Sequence, residues 1–164
     1  MLKITTPSRL HVTLIDMNAS MGRVDGGIGL TLDEPVISIY AEKATDIQIK
    51  GVSEHIDRMR KSAAVLLPEG EGIHIKIDKD YPSHIGLGSG TQVALASGMA
   101  VNKLYDLGLN THEIAVKVSR GGTSGIGVAA LKVEGSYLMG GISSAIRRHF
   151  SHPLQASFLQ RLFY

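Results

Sequence analysis

The sequence, 164 residues long, predicts an α+β domain, and three observations point to it. Residues 72–78 alternate strictly, with Ile73, Ile75 and Ile77 on one side and His74, Lys76 and Asp78 on the other, the period of a half-buried strand. From Ser53 onward, Ile56, Met59, Ala63 and Leu66 recur at helical spacing until Pro68 stops them. A glycine loop, Gly86-Leu87-Gly88-Ser89-Gly90, then runs into small residues (Thr91, Ala94, Ala96, Ser97, Gly98, Ala100) that can form a close-packed helix. Strands and helices interleave without regular βαβ repetition, so one layered domain is expected rather than a doubly wound parallel sheet.

The elements follow in order. Residues 2–5 and 9–15 read as short strands, the second alternating Leu10, Val12 and Leu14 with Arg9, His11 and Thr13. A glycine-rich connection (Gly22, Gly26, Gly27, Gly29) leads to a β-branched strand at 36–41, and 46–50 alternates Ile47 and Ile49 with polar neighbours. After the glycine loop the helix is expected over about 91–107. Asn110 with Glu113 three residues on predicts a capped helix to about Ser119. Residues 121–127 read as a second glycine loop feeding a hairpin of strands 128–133 and 137–139 around Glu134-Gly135.

Composition narrows the function classes. The absence of cysteine excludes a disulfide scaffold and any thiolate metal site. The seven histidines show neither HxxxH nor HxH spacing, which argues against zinc. The N-terminus has no signal-peptide core and no stretch approaches 18 apolar residues, so a soluble cytoplasmic protein with no membrane partner is expected. The net charge of +2 comes from Arg147, Arg148 and Arg161, without which the remainder is −1. No acidic residue follows Glu134 and all three phenylalanines, Phe150, Phe158 and Phe163, lie near the end. The basic balance therefore belongs to that tail and no nucleic-acid partner is expected.

The glycine loop is the first candidate site. Glycines admit positive φ and close backbone approach, and N–H groups at a helix start attract an anion, so Gly86, Leu87, Gly88, Ser89, Gly90 and Thr91 are expected to cradle phosphate. An ordinary glycine turn is the competing reading. Arg9, His11 and Thr13 share one strand face, a basic and hydrogen-bonding surface suited to a sugar phosphate or carboxylate. Asp25, flanked by glycines, is open to three roles: a Mg²⁺ ligand, a partner for a sugar hydroxyl, or an Asx-turn.

The run PSHIGLGSGTQVALASG at 82–98 resembles the PxxxGLGSSAA motif of the GHMP kinase superfamily. PSRLHVTLIDMN (7–18), GRVDGGIGLTLDEP (22–35) and SRGGTSGIGVAA (119–130) resemble one branch of it, the beta-ribofuranosylaminobenzene 5'-phosphate synthases of methanopterin biosynthesis. The resemblance covers about residues 1–141. It implies a lobe similar to domain 2 of ribosomal protein S5, and condensation of phosphoribosyl diphosphate with a 4-substituted benzoate, releasing CO₂ and diphosphate. It further implies catalytic roles for Arg9, His11 and Asp25, substrate contacts from Asp16, Asn18, Thr123 and Ser124, and Mg²⁺ at Ser89 and Asp25. The phosphate ligand would be phosphoribosyl diphosphate, or ATP if the chain is a small-molecule kinase; an inactive phosphate-binding domain is the third possibility.

Two departures from the kinase pattern stand out. Gly127 falls where mevalonate-type kinases carry an Asp that positions the accepting hydroxyl, and Gly90-Thr91-Gln92 replaces a second Ser and an Ala pair. The first argues against an Asp-base kinase. The superfamily normally runs to twice this length, and residues 142–164 read as a non-family tail such as a frameshift or premature end produces. A homo-oligomer through Phe150, Phe158 and Phe163 is expected, with weak phosphate binding by the chain alone.

Overall fold

The computed structural model describes residues 1–15, 23–24, 26–119, 125–130, 136–139 and 142–143. In chain order the strands are β1 (Leu2–Ile15), β2 (Arg23–Val24), β3 (Gly26–Ala44), β4 (Ile47–Lys50), β5 (Gly72–Lys79), β6 (Ser136–Met139) and β7 (Ile142–Ser143). The helices are α1 (Ile56–Ala64), α2 (Ser89–Leu104), α3 (Thr111–Lys117) and α4 (Gly125–Ala129).

β3 organises the sheet. Its order is β1-β3-β5-β4, and β6 adds to β3 at Gly27–Leu30, so one strand carries three neighbours. The β1–β3 and β3–β5 pairs are antiparallel, while β4 and β5 run parallel with α1 in the crossover between them. Where two short strands were expected at 2–5 and 9–15, there is one. Pro7 lacks an N–H, and the ladder steps from Pro7↔Val36 to Ser8↔Leu32, so that Asp33, Glu34 and Pro35 bulge out of β3 and both strands continue. The expected glycine connection at 26–29 is likewise strand: Gly26, Gly27 and Gly29 pair with Ile15, Leu14 and His11.

The core lies between the sheet and the helices. Ile37 and Ile39 of β3 and Ile73 and Ile75 of β5 are buried against Met59 and Ala63 of α1 and Val93, Ala96, Ala100 and Val101 of α2. The small residues of α2 have a packing cause. A Cβ on Gly98 would lie 2.8 Å from Ile114 Cγ2 and 2.9 Å from Leu66 Cδ1, so the helices on either side close onto bare backbone. α2 begins and ends earlier than its pattern suggests, at Ser89 and Leu104; Asp106 and Gly108 take φ of 50° and 69°, and Asn102 holds Leu109 through two hydrogen bonds. Asn110 caps α3 as expected, accepting from His112 and Glu113 while Glu113 accepts from the Asn110 N–H.

Of the hairpin expected from 128–133 and 137–139, residues 131–135 lie outside the described residues, and the strand expected at 137–139 is β6. Residues 125–129 are helical, with Ala130 N–H donating to the Ile126 carbonyl, and β6 pairs with β3. The Gly-Ile-Gly-Val-Ala stretch is too short for a period to decide its state, and burial of Ile126 and Val128 against other elements overrides β-branched preference.

Candidate functional site

The Gly86–Gly90 loop opens α2. Gly86 and Gly88 have φ of 84° and 79°, the left-handed region that only glycine enters without strain, and Gly88 is the N-cap residue. No side chain caps this helix. The Gly88 carbonyl accepts from the Thr91 and Gln92 amides at 3.0 and 3.2 Å, which leaves the Ser89 and Gly90 amides with no hydrogen-bond partner among the described residues. These two N–H groups and the positive end of a 16-residue helix converge where an anion would be stabilised. Ser89 and Thr91 are buried, whereas Gly86 is open to solvent.

Arg9 reaches this loop from β1. Its backbone N–H donates to the Leu87 carbonyl at 3.1 Å and its guanidinium to the Gly86 carbonyl at 3.1 Å. The guanidinium lies over Gly88, where a Cβ would stand 2.8 Å from Cζ. Burial lowers the Arg9 pKa from its usual value, yet an arginine remains charged, and its buried Nε has no partner among the described residues. The loop thus has a cation fixed against its backbone.

His11 follows on the same strand face, paired with Gly29, and its ring lies where a Cβ on Gly27 would collide with it. A Cβ on Gly29 would collide with Ile126 of α4. Three glycines therefore admit three crossing side chains. Thr13 departs from the expected shared face: a register shift between His11 and Thr13 sets it opposite Ile28, on the reverse side from Gly27 and Gly29. That reverse side carries Leu10, Val12, Ile28 and Leu30, all exposed.

Sequence reasoning missed the residues that hold the loop. Tyr81 is 4% exposed and donates its hydroxyl to the Leu87 carbonyl at 3.3 Å, the same oxygen that Arg9 N–H uses. Burial pushes its pKa up to about 12, against an opposing pull from the Arg9 charge. Two straps tie the loop's approach to the segment before α1. Asp80 accepts from the Ser53 hydroxyl, and Glu54 accepts from the Ser83 N–H and hydroxyl at 3.1 and 2.5 Å, bonds that hold the Glu54 pKa below the usual carboxylate value. Arg58 reaches the Gly90 carbonyl at 3.4 Å. Of these, only Tyr81 left a sequence signal, an aromatic ring directly before the Pro82 that opens the motif.

Asp16, Asn18, Asp25, Thr123 and Ser124 lie outside the described residues. Among the described residues no group of three or more His, Asp or Glu could hold a metal ion, and no helix is long and apolar enough to cross a membrane.

Residues 37–135 match the family described as GHMP kinases N terminal domain. The chain belongs to the GHMP kinase family. It is 47% identical over 151 residues to a beta-ribofuranosylphenol 5'-phosphate synthase of Archaeoglobus fulgidus, covering 92% of this chain and 48% of that protein. The corresponding synthase of Methanocaldococcus jannaschii is 44% identical over 85% of this chain and 47% of its own length. The chain thus spans about half the length of the curated relatives it matches. The phosphomevalonate kinase of Streptococcus pneumoniae superposes with a TM-score of 0.60 at 16% identity, covering 86% of this chain and 49% of that one, and so shows the fold. The GHMP-type α+β lobe expected from the sequence is the fold found.

Proposed function

We propose that this chain supplies the phosphate-binding lobe of a synthase that joins phosphoribosyl diphosphate to a 4-substituted benzoic acid, with loss of diphosphate and CO₂. The observation that carries this reading is the 47% identity over 92% of the chain to a synthase named for a ribofuranosylphenol phosphate product. A phenol product makes the 4-substituent a hydroxyl, so 4-hydroxybenzoate is the aromatic acid of choice and 4-aminobenzoate the comparison.

In this reaction the bond from ribosyl C1 to the diphosphate oxygen breaks and C1 becomes oxocarbenium-like. The ring carbon bearing the carboxylate attacks C1, and the electrons of its bond to CO₂ return to the ring. Negative charge grows on the departing diphosphate. The free amides of Ser89 and Gly90 and the start of α2 are arranged to stabilise that charge. Arg9 holds a positive charge beside the loop and is suited to orient the benzoate carboxylate before it leaves. His11, on the same face, is suited to the ribosyl phosphate or its hydroxyls.

Mg²⁺ bound across the diphosphate would neutralise part of its charge. The described donor is the Ser89 hydroxyl, a hard oxygen at the helix start, and Asp25 is the candidate carboxylate.

Thermal melts with phosphoribosyl diphosphate or ATP, each with Mg²⁺, test the reading. A ligand at 100 times its Kd stabilises by about 2.7 kcal/mol, about 5–10 °C for a domain of this size. Phosphoribosyl diphosphate should give the larger shift, with diphosphate and CO₂ released only when 4-hydroxybenzoate is added to catalytically competent protein. Stabilisation by ATP alone, with phosphorylation of an alcohol, would replace this reading with a kinase.

A further inference from the structure

We propose that Gln92 is a positioning residue that ties α4 to the helix opened by the Gly86–Gly90 loop, through the Gly127 carbonyl. It couples the two helices, and that role rests on the reading of the Gly86–Gly90 loop as the ligand site.

Gln92 sits in the first turn of α2, fully buried, and its own N–H closes on the N-cap Gly88. Its side-chain Nε2 donates to the Gly127 carbonyl at 2.9 Å, a buried bond between residues 35 apart in the chain. Its Oε1 is buried and has no partner among the described residues. An amide so placed costs desolvation at both ends, whereas Met or Leu would fill the space at no such cost. Filling volume does not account for it. The bond to Gly127 does, and Oε1 remains as an acceptor.

The helix that Gln92 holds is small and anchored on two sides. Ile126, 3% exposed, fills the space above Gly29 on β3, and Gln92 fixes the next residue to α2. At the other end Ser119 takes φ of 59° and donates its N–H to the Val116 carbonyl. The Gly127 anchor is bonded to the turn that presents the loop amides. The bond also joins one residue from each departure from the kinase pattern, Gln92 of Gly90-Thr91-Gln92 and Gly127. A ligand bound at the first turn of α2 must leave before that turn opens, so through Gly127 it protects α4 as well.

Amide hydrogen exchange on the 164-residue chain decides this, followed at Ala129 and Ala130 in wild type, Gln92→Met and Gln92→Glu. Gln92→Met keeps the length and removes both polar ends. Loss of one neutral buried hydrogen bond predicts about threefold to tenfold faster exchange at these amides in Gln92→Met, with amides of β3 and β5 unchanged. Gln92→Glu should lose more protection than Met once the pH is high enough to ionise the carboxyl, whose pKa burial raises, and recover protection, after correction for intrinsic rates, when lower pH protonates it and restores a donor. That recovery keeps the test open if the Met variant fails to fold, since a purely structural role does not predict it. Inorganic diphosphate with Mg²⁺ should add protection at 129–130 in wild type and not in Gln92→Met. Wild-type exchange in Gln92→Met, or no acid recovery in Gln92→Glu, would overturn the hold. Diphosphate binding without added protection in wild type would overturn the coupling. Absence of binding to wild type would instead count against the ligand site and leave the ligand-free comparison to decide the hold.

Discussion

Gly88→Ala is the sharpest perturbation of the loop because two separable costs meet there. At φ of 79° a residue with a Cβ is strained by about 1–2 kcal/mol. The new methyl would also stand 2.8 Å from Arg9 Cζ and 2.9 Å from its Nε, so the guanidinium must move and release the Gly86 carbonyl. A hydrogen bond from a charged group is worth about 1.5–3 kcal/mol, which brings the total to about 3–5 kcal/mol. For a domain of this size each kcal/mol shifts Tm by about 2–4 °C. Gly86→Ala is the control: its φ is 84°, yet nothing lies within 4 Å of a Cβ there, so it bears the backbone cost alone. Calorimetric or fluorescence melts of both variants should place Gly88→Ala below Gly86→Ala by about 3–12 °C, the Arg9 contribution. In an Arg9→Ala background that gap should close, since the neighbour is gone. Equal melting of the two single variants, or a gap that survives Arg9→Ala, would refute the packing of Arg9 on the loop.

Other outcomes are equally specific. Tyr81→Phe removes one of two donors to the Leu87 carbonyl and should lower stability by about 0.5–1.5 kcal/mol in urea denaturation at pH 7. Because burial raises the Tyr81 pKa from 10 to about 12, the folded state favours the neutral phenol. That contribution is complete below pH 10 and is lost as pH rises through 12, so wild type should show a decline across this window that Tyr81→Phe lacks. Gly29→Ala should expel Ile126 from its seat and speed exchange at Ala130 while β5 amides stay protected. The exposed side of the β1–β3 ribbon, with Leu10 41% and Val12 59% accessible beside Ile28 and Leu30, should drive self-association. Sedimentation of Leu10→Lys/Val12→Lys should then report a smaller species than wild type.

What the sequence disclosed, and what it hid, follows from the range of the interactions. Ile73, Ile75 and Ile77 announce β5 because one face is buried along a single strand, and Asn110 announces α3 because a capping box is complete within four residues. The Gly86–Gly90 loop was visible for the same reason, its glycines and the helix they open being contiguous. Gly26, Gly27 and Gly29 misled because glycine is a poor strand former; Gly27 and Gly29 are required by His11 and Ile126, which cross from elsewhere in the chain. Val128 argued for a strand, but its segment is a helical turn in which Ala130 N–H donates to the Ile126 carbonyl, with Ile126 seated over Gly29 of β3 and Gly127 bonded to Gln92 of α2. The role of Gln92 went unread, though its place in the motif was noted, because a hydrogen bond to a carbonyl 35 residues away leaves no period in the sequence.

Bare Gly98 pressed between Ile114 and Leu66 has a thermodynamic consequence for the opposite end of the same helix. A helix seated so closely cannot slide or turn about its axis without overlapping its neighbours, so its first-turn amides are held in orientation before any ligand arrives. Binding there forgoes the entropy loss of ordering a receptor. Calorimetry should find little conformational contribution to the heat capacity of binding. Association should run at a rate set by encounter and charge, with affinity differences among anions appearing in how fast each one leaves.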